Sequence, residues 1–357
     1  MTPSLAATAT WAEIRQQPAV WEALAADPRL SEARAWLAAL APEEAWLMGA
    51  GTSAFVGEIV AAGLEGAPGP RLRAVPTTDL VSRPRAFLPR PPGALVVQFG
   101  RSGDSTESVG VMDALDALSP GTARLHVTCN PRGQLATREA PGPLHVLRLP
   151  EAAHDRGFAM TSSFSGMLVA ALALLSPEGA EPVRGLAERL RGLLPRYEAH
   201  AEASRVPERM VFLGAGPLAF AARESALKVM ELAKGAIPCL WDSTLGFRHG
   251  PKSFVAPGTD ILLYLSPDPH ARLYDQDLLQ ELRAQFPEAR VTALGPGGDL
   301  DVGLPPGGWG AALAVPLAQV LAATWSDRLG MNVDDPFAGA GTLSRVVSGV
   351  RLHPVGP

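Results

Sequence analysis

Short runs of apolar residues recur along the chain without the alternation that marks a strand with one exposed face. Between them lie longer stretches in which apolar residues return with helical periodicity, such as FVGEIVAAGLE at 55–65 and STESVGVMDALDAL at 105–118. Unbroken apolar runs suit strands that are covered by helices on both faces. The pattern therefore predicts βαβ units, with a parallel sheet between two layers of helices.

These segments recur in the two halves of the chain. The stretch WLMGAGTSAF at 46–55 returns as VFLGAGPLAF at 211–220. Three further pairs follow in the same order: GALVVQF (93–99) with GTDILLYL (258–265), ARLHVTCNP (123–131) with ARVTALGPG (289–297), and PLHVLRLP (143–150) with WGAALAVP (309–316). We interpret the apolar part of each member as a buried strand, so the chain should contain two similar α/β units in tandem.

The length of 357 residues supports this division, because one hydrophobic core rarely grows beyond roughly 250–300 residues. We expect five segments. They are a helical lead-in at 1–40, a first domain at 41–180, a linking helix at 181–205, a second domain at 206–335 and a tail at 336–357. Each domain should be a three-layer αβα arrangement around its own parallel sheet.

The composition narrows the class of protein. Apolar residues make up 47% of the chain and charged residues 19%, and the net charge is -5, as in an ordinary globular protein. The sequence has no basic field that would attract nucleic acid, so we predict that nucleic acid is not a partner.

Two cysteines, Cys129 and Cys239, are too few for a disulfide framework, which favours a reducing compartment, and we expect a cytoplasmic protein. The N-terminus lacks the basic and apolar regions of a secretory signal. The most membrane-like stretch, AMTSSFSGMLVAALALLS at 159–176, has only about ten continuous apolar residues, short of the roughly 20 that a bilayer requires. We predict a buried helix there and no membrane association.

Glycine and hydroxyl groups are concentrated in two loops of the first unit, GAGTS at 49–53 and GRSGDST at 100–106. Ligands of parallel sheets bind beyond the carboxyl ends of the strands, in the loops that open the next helix. Glycines let backbone N–H groups approach an anion, and hydroxyls and the helix N-terminus attract it. The corresponding loops of the second unit have proline and aspartate instead. We therefore predict a phosphate cradle in the first unit alone.

Two other interpretations of these loops remain open. Serine, threonine and aspartate at the start of a helix are often N-caps rather than ligand contacts. The segments GAGTSA and GAGPLA also satisfy the G-x-G-x-x-A pattern of a dinucleotide site. That site needs an acidic residue at the end of the second strand, and the segment GPRLRAVPTT at 69–78 has none before Asp79.

The segment RESALKVMELAKG of the second unit is a candidate for catalysis. Glu224, Lys228 and Glu231 are spaced i, i+4 and i+7, which places them along one face of a helix. A solvated charged stripe would show the same spacing. Because most of the other residues of this helix are apolar, however, we interpret the carboxylate beside lysine as a candidate general base.

The stretch GFRHGPKS at 246–253 is unusual in so apolar a chain. Gly250 and Pro251 disfavour a regular helix or a central strand, so we expect a shaped loop that presents its cations. His249 in this loop could exchange a proton near neutral pH, or it could be a surface histidine without a role.

Together these motifs closely resemble those of the double sugar-isomerase (SIS) domain family, which includes the isomerase half of glucosamine-6-phosphate synthase. AMTSSFSGM, GFRHGPKS and GTLSRVVSGV resemble one branch in particular, the tagatose-6-phosphate ketose/aldose isomerases or galactosamine-6-phosphate deaminase/isomerases. The resemblance extends from about residue 20 to the end of the chain. It implies two tandem SIS domains, each with a flavodoxin-like αβα fold.

The resemblance also implies roles for residues of the first-unit loops and the tail. The phosphate would be held by the two hydroxyl-rich loops, Thr161 would help to line the sugar pocket, and Arg345 in the tail would complete the site. The loop residues concerned are Gly51, Thr52, Ser53, Arg101, Ser102, Gly103, Asp104 and Ser105. The chain departs from the family at Gly100, where relatives often have serine, and it lacks the C-terminal lysine of the synthase.

For the second unit, the resemblance implies that Glu231 moves a proton between C1 and C2 of an open-chain sugar. Lys228 would support the sugar oxygens, and His249 would open the ring from the neighbouring subunit of a homodimer with composite sites. The substrate would be a hexose or hexosamine 6-phosphate, isomerised and possibly deaminated, with no cofactor and no metal. A sugar-phosphate sensor without activity, or a lyase on the same scaffold, is the alternative; the presence of Glu231 and His249 favours the isomerase.

Overall fold

The structure, a computed structural model, describes residues 4–90 and 93–353. The chain divides into two compact units. The first-sheet unit comprises residues 16–155 and 162–187 and the tail from 341 onward, and the second-sheet unit comprises the chain up to residue 15, residues 156–161 and residues 188–340. Helix α9 falls within the segment 181–205 that we expected to be helical, and the domain boundaries themselves stay a prediction.

The helices of the chain are mostly long and are joined by short loops. They are α1 (Ala9–Ala26), α2 (Pro28–Leu40), α3 (Thr52–Gly63), α4 (Thr77–Ser82), α5 (Pro84–Phe87), α6 (Thr106–Leu118), α7 (Gln134–Thr137), α8 (Ser162–Leu175), α9 (Val183–Ala203), α10 (Pro217–Leu232), α11 (Pro269–Gln285) and α12 (Trp309–Arg328). Short 3₁₀ turns cover Leu5–Ala7, Glu151–Ala153, Gly246–Arg248 and Pro251–Phe254.

The first-sheet unit contains a parallel five-stranded sheet in the order β2-β1-β3-β4-β5. Its strands are β1 (Glu44–Met48), β2 (Arg71–Ala74), β3 (Ala94–Gly100), β4 (Ala123–Thr128) and β5 (Leu144–Arg148). Every residue of the three central strands is buried, whereas the two edge strands have exposed positions. This burial explains why the central strands are predominantly apolar.

The second-sheet unit contains a parallel sheet in the order β10-β9-β8-β6-β7. Its strands are β6 (Arg209–Gly214), β7 (Cys239–Ser243), β8 (Thr259–Tyr264), β9 (Arg290–Gly295) and β10 (Leu300–Asp301). The two sheets have the same topology. Read in reverse, the second order is β7-β6-β8-β9-β10, so β6 corresponds to β1 and β8 to β3. The prediction of two parallel sheets, each flanked by helices, is confirmed.

The GAG segments have the same backbone geometry in both units. Gly51 and Gly216 precede α3 and α10 with φ of 54° and 55°, a region that favours glycine. A Cβ atom on Gly49 would lie 2.4 Å from the backbone carbon of Ser53, and one on Gly214 would lie 2.7 Å from that of Leu218. The strand-to-helix turn therefore requires both glycines, and the G-x-G pattern needs no dinucleotide to explain it.

The prediction of a strand at 309–316 is wrong. WGAALAVP begins helix α12, and the fifth strand of this sheet is the short β10, which pairs with β9. A continuous apolar run fits a buried helix as well as a buried strand, and here the run continues for 18 buried residues, which only a helix accommodates. Alanine, a strong helix former, contributes six of the residues from 309 to 323.

Helix α12 is also long and apolar enough to cross a bilayer, but its apolar part is entirely buried within the protein, as in the core helix of a globular domain. Helix α8 lies in the stretch at 159–176, and all but its last residue are buried, as the sequence predicts.

Candidate functional site

The GRSGDST loop of the first-sheet unit joins β3 to α6. Ser105 is the N-cap of α6, and its hydroxyl oxygen lies 3.4 Å from the Ser108 backbone N–H that it accepts and 2.8 Å from the Ser108 hydroxyl. The N-cap interpretation therefore holds for Ser105. Gly103 has a φ of 71°, and a Cβ atom there would lie 3.3 Å from both Leu135 and the Thr128 hydroxyl, so this position also requires glycine.

At Gly100, where the resemblance leads us to expect serine, a neighbouring side chain limits the space. A Cβ atom at this position would lie 2.7 Å from the Leu135 side chain, which occupies the space that a serine would need. The Thr128 hydroxyl donates to the Gly100 carbonyl at 2.7 Å. The Leu135 side chain, in the same unit, would have to move to admit a serine at this position.

Ser102 and Asp104 are held by local contacts. The Ser102 hydroxyl accepts the Asp104 backbone N–H at 3.2 Å. The Asp104 carboxylate accepts the Gln134 N–H at 2.8 Å, and the Asn130 side-chain amide donates to the Ser102 carbonyl at 2.9 Å. Asp104 therefore fixes the neighbouring loop at 130–134 against the GRSGDST loop.

The GAGTS loop leads directly into α3. Thr52 and Ser53 lie in the first turn of this helix and are both buried. Gly51 has the positive φ described above, and its Cβ position is open. These residues thus line the carboxyl end of β1, as the loop pattern predicts.

The C-terminal tail contacts the GRSGDST loop within the same unit. Buried Arg101 donates to the Arg345 carbonyl at 2.6 Å, and the Arg345 guanidinium donates to the carbonyl of Asp155. The Thr106 N–H, in the first turn of α6, donates to the Val347 carbonyl at 3.4 Å. The structure thus brings together two of the residues that the resemblance implies, Arg101 and Arg345.

In the second-sheet unit, α10 holds a buried lysine between two carboxylates. The Lys228 ammonium lies 2.5 Å from the Glu231 carboxylate and 3.4 Å from that of Glu224. The side chains of Lys228 and Glu224 are 0% exposed, whereas Glu231 is 23% exposed. We name these three residues the charged triad. Its charge-assisted hydrogen bonds orient Glu231, the only member of the triad that reaches solvent.

The GFRHGPKS segment folds as two 3₁₀ turns separated by Gly250, whose φ is 122°. Phe247 is buried in the core of the unit, which fixes the first turn. Just before it, the Thr244 hydroxyl donates at 2.5 Å to buried Asp275 of α11, which also accepts the Ser266 N–H at 2.7 Å. Burial raises the pKa of Asp275, and the Thr244 and Ser266 hydrogen bonds oppose that shift.

The two cations beside His249 share one carboxylate of α11. Glu281 pairs with Arg248 at 2.8 Å and with Lys252, and these hydrogen bonds lower the pKa of Glu281. We expected this segment to present its cations, but Arg248 and Lys252 both form ion pairs with Glu281. His249 itself is exposed, and within the described residues its imidazole has no hydrogen bond or ion pair.

The remaining predicted residue, Thr161, is fully buried directly before α8 and belongs to the second-sheet unit. Sequence reasoning missed Asp275, Glu281 and Asn130 as supporting residues. Only Asn130 left a signal, because it lies in a loop that follows a predicted strand. Within residues 4–90 and 93–353, no three His, Cys, Asp or Glu side chains are grouped so that they could hold a metal ion.

Comparison with known proteins gives a consistent result. No protein-family model matches the chain. It is 39% identical over 377 aligned positions to the D-galactosamine-6-phosphate deaminase AgaS of Escherichia coli, an alignment that covers 99% of this chain and 98% of the relative. A Shewanella protein of the same name is 35% identical, with 86% of this chain and 81% of the relative covered.

Among solved structures, the chain is similar to a tagatose-6-phosphate ketose/aldose isomerase from Escherichia coli, with a TM-score of 0.87, 36% identity and complete coverage of both chains. Relatives of this identity and coverage establish the family. The chain belongs to the AgaS family of SIS-domain enzymes, the phosphosugar isomerases and deaminases.

Proposed function

We propose that the protein converts galactosamine 6-phosphate and water into tagatose 6-phosphate and ammonia. The relatives named above are a galactosamine-6-phosphate deaminase and a tagatose-6-phosphate isomerase. These two sugars are linked chemically, because replacing the amine-bearing C2 of galactosamine by a ketone, while C1 becomes an alcohol, gives tagatose. One reaction therefore accounts for both names.

The reaction balances without an external oxidant or reductant. In the open-chain sugar, C2 loses a proton and C1 gains one, so the aldehyde is reduced to an alcohol while the amine is oxidised to an imine. Water then adds to the imine carbon, and ammonia leaves with the electron pair of the C–N bond. The protein has to open the ring, move one proton and bind the phosphate.

The charged triad is the observation that carries the proposal. A carboxylate that exchanges a carbon-bound proton must reach the substrate and keep a fixed orientation. Glu231 has both properties, since it is partly exposed and bonded to buried Lys228. We assign the C2-to-C1 proton transfer to Glu231 and stabilisation of the developing charge on the sugar oxygen to Lys228.

Phosphate binding is assigned to the first-sheet unit. Thr52, Ser53, Ser102 and Ser105 supply hydroxyls, and Gly103 lets the backbone turn closely at the N-terminus of α6. A helix N-terminus with small and hydroxyl residues attracts phosphate through its N–H groups and dipole. Arg101 and Arg345 add positive charge to the same loop.

We propose that the protein is a homodimer and that His249 opens the sugar ring in the site of the partner. The exposed imidazole suits a residue that acts outside its own subunit. Large apolar side chains are also exposed near this turn, namely Leu245, Leu273 and Tyr274, the last two on α11 beside Asp275. An apolar surface of this kind supports association with a second copy.

The dimer proposal can be tested by mixing two inactive variants. Glu231→Gln and His249→Ala subunits, dissociated and reassociated together, should regain activity, because one site in the mixed dimer then holds both native residues. Verified mixed dimers without activity would assign His249 to its own subunit.

The substrate is tested with galactosamine, glucosamine, galactose and tagatose 6-phosphates, with ammonia and ketose measured separately. We expect galactosamine 6-phosphate to give equal amounts of ammonia and ketose. Interconversion of galactose and tagatose 6-phosphates, with no ammonia from either amino sugar, would replace deamination by simple isomerisation. Both cysteines are free thiols, and we propose a cytoplasmic location on that basis.

A further inference from the structure

A cavity with a basic lining lies in the first-sheet unit, at the carboxyl ends of β4 and β5. Its volume is about 600 Å³, within the range of small-molecule sites. It is lined by Arg29, Cys129, Asn130, Pro131, Arg132, Arg148, Leu149, Glu151 and His154. None of these residues belongs to the GAGTS or GRSGDST loops, so the cavity has its own lining, which adjoins the proposed phosphate cradle where Asn130 donates to the Ser102 carbonyl.

The lining carries positive charge that ion pairs among the described residues do not neutralise. Arg29 is paired with Asp27. Arg132 and Arg148, both exposed, form no ion pair with any residue in the described part of the chain. The lining has one carboxylate, that of Glu151. Two arginines whose charges are not paired thus face a cavity that contains a single negative group.

His154 indicates that this wall of the cavity has a positive potential. The pKa of His154 is lowered first by burial and then by the guanidinium groups of Arg345 and Arg101, with a smaller contribution from Arg132, while Asp155 opposes the shift. A neutral imidazole can accept or donate a hydrogen bond to a ligand without adding to the local charge.

The wall of the cavity is fixed by bonds to its surroundings. Asn130 donates to the Ser102 carbonyl and accepts the Arg132 backbone N–H at 3.1 Å. On the other side, the Leu149 N–H donates to the Thr128 carbonyl at 2.9 Å. Arg132 and Arg148 therefore extend from anchored backbone, which reduces the entropy lost when they bind a ligand.

We propose that this cavity is a second binding site, for a phosphomonoester about the size of a sugar phosphate. Guanidinium groups bind phosphate oxygens in pairs of parallel hydrogen bonds, and two arginines suit a dianion. The remaining volume and the polar side chains of Asn130 and His154 suit a hydroxylated group attached to the phosphate. The site lies in the same unit as the cradle but has different lining residues, so we expect substitutions in the lining of one site to leave binding at the other.

The test is a calorimetric titration of the full chain with inorganic phosphate and with sorbitol 6-phosphate, which has no carbonyl and cannot react. At low ionic strength, where charge interactions are least screened, we expect two sites per chain. The double variant Arg132→Gln/Arg148→Gln should lose one site, with an affinity at least about 100-fold weaker, since each lost charged hydrogen bond weakens binding about tenfold or more. Arg184→Gln, a change at an exposed arginine on α9, should leave both sites unchanged.

Glu151→Gln gives an independent test that does not depend on the folding of the double variant. Removing this carboxylate should strengthen binding at the cavity several-fold. Thr52→Ala/Ser102→Ala should remove only the other site, so failure of the proposed phosphate cradle and failure of the cavity can be distinguished. The proposal is overturned if the arginine double variant keeps two sites of native affinity, or if Glu151→Gln leaves binding unchanged.

Discussion

The loops after β3 and β8 occupy equivalent places in the two sheets and differ in how they start the next helix. In both, a serine hydroxyl accepts the N–H of an aspartate two residues later at 3.2 Å, in Ser102-Gly103-Asp104 and in Ser266-Pro267-Asp268. In the first-sheet unit the neutral Ser105 hydroxyl caps α6. In the second-sheet unit the Asp268 carboxylate caps α11, accepting the Ala271 N–H at 2.8 Å.

This difference supports our proposal that phosphate binds to the first sheet alone. A carboxylate at a helix N-terminus already supplies the negative charge that the dipole favours, and it repels a second anion. Proline at 267 also removes a backbone N–H, whereas Gly103 keeps one and allows close approach. The two units share a backbone frame, and we propose that the residues placed on it assign phosphate binding to one unit and acid–base chemistry to the other.

The largest effect should come from the charged triad. Glu231→Gln keeps the shape of the side chain and removes its ability to accept a proton, so kcat should fall about 10²- to 10⁴-fold with little change in KM. The matched control is Glu188→Gln, at an exposed glutamate of α9 in the same unit. Steady-state assays with galactosamine 6-phosphate measure both, and a loss of less than tenfold would remove Glu231 as the base.

The next largest effect should be a difference in KM between variants of the two equivalent serines, Ser102 and Ser266. Ser102→Ala should raise KM about tenfold or more, because a hydrogen bond to a charged group contributes roughly 1.5–3 kcal/mol. Ser266→Ala loses the same local bond to an aspartate N–H but should leave KM unchanged. Equal changes in KM for the two variants would contradict the assignment of phosphate to the first sheet.

A third difference between the sheets lies below the loops, where β4 has buried His126 and the equivalent position of β9 is Ala293. Burial lowers the pKa of His126 to about 4, against about 6.5 in an unfolded chain. Between these values the unfolded state binds more protons, so stability falls as pH decreases through this window. The free energy of unfolding falls by about 3 kcal/mol in total between neutral pH and pH 4.

His126→Thr should remove this part of the pH dependence. Urea unfolding at pH 7 and at pH 4.5 would measure it, with His270→Thr, a change at an exposed histidine, as the control. If the stability of His126→Thr falls as steeply as that of the native chain, His126 is not responsible for the acid sensitivity.

The smallest effect is expected at Glu281, which anchors the residues on either side of His249. Glu281→Gln should lower kcat up to about fivefold and destabilise the protein by less than about 1 kcal/mol, because partly exposed ion pairs contribute little. The pKa of Glu281 is lowered in the folded state, so the advantage of the native chain is present above the unfolded carboxyl pKa and is lost as pH falls through the folded one. A pH series of stability for both chains checks this sign.

The sequence predicts best the features that depend on local spacing. The GAG turns and the i, i+4, i+7 arrangement of Glu224, Lys228 and Glu231 follow from strand and helix geometry over a few residues, and the structure agrees with both. The error at 309–316 has a different origin, since apolar content alone does not separate a buried strand from a buried helix.

Contacts between distant segments could not be predicted. Glu281 lies about 30 residues from Arg248 and Lys252, and Asp104 a similar distance from Gln134. Nothing in the spacing of these residues distinguishes them from solvated surface charges. Only the packing of α11 beside the turn, and of the loop at 130–134 beside the GRSGDST loop, brings them together.

The most direct test of the account is the incorporation of deuterium from heavy water into the ketose product. The account predicts that the native protein converts galactosamine 6-phosphate into tagatose 6-phosphate with solvent deuterium at C1, because the proton removed from C2 is exchanged on Glu231 before it is returned. Glu231→Gln should still bind sorbitol 6-phosphate, yet incorporate no deuterium. Incorporation by Glu231→Gln at the native rate would show that another residue moves the proton and would contradict the central claim.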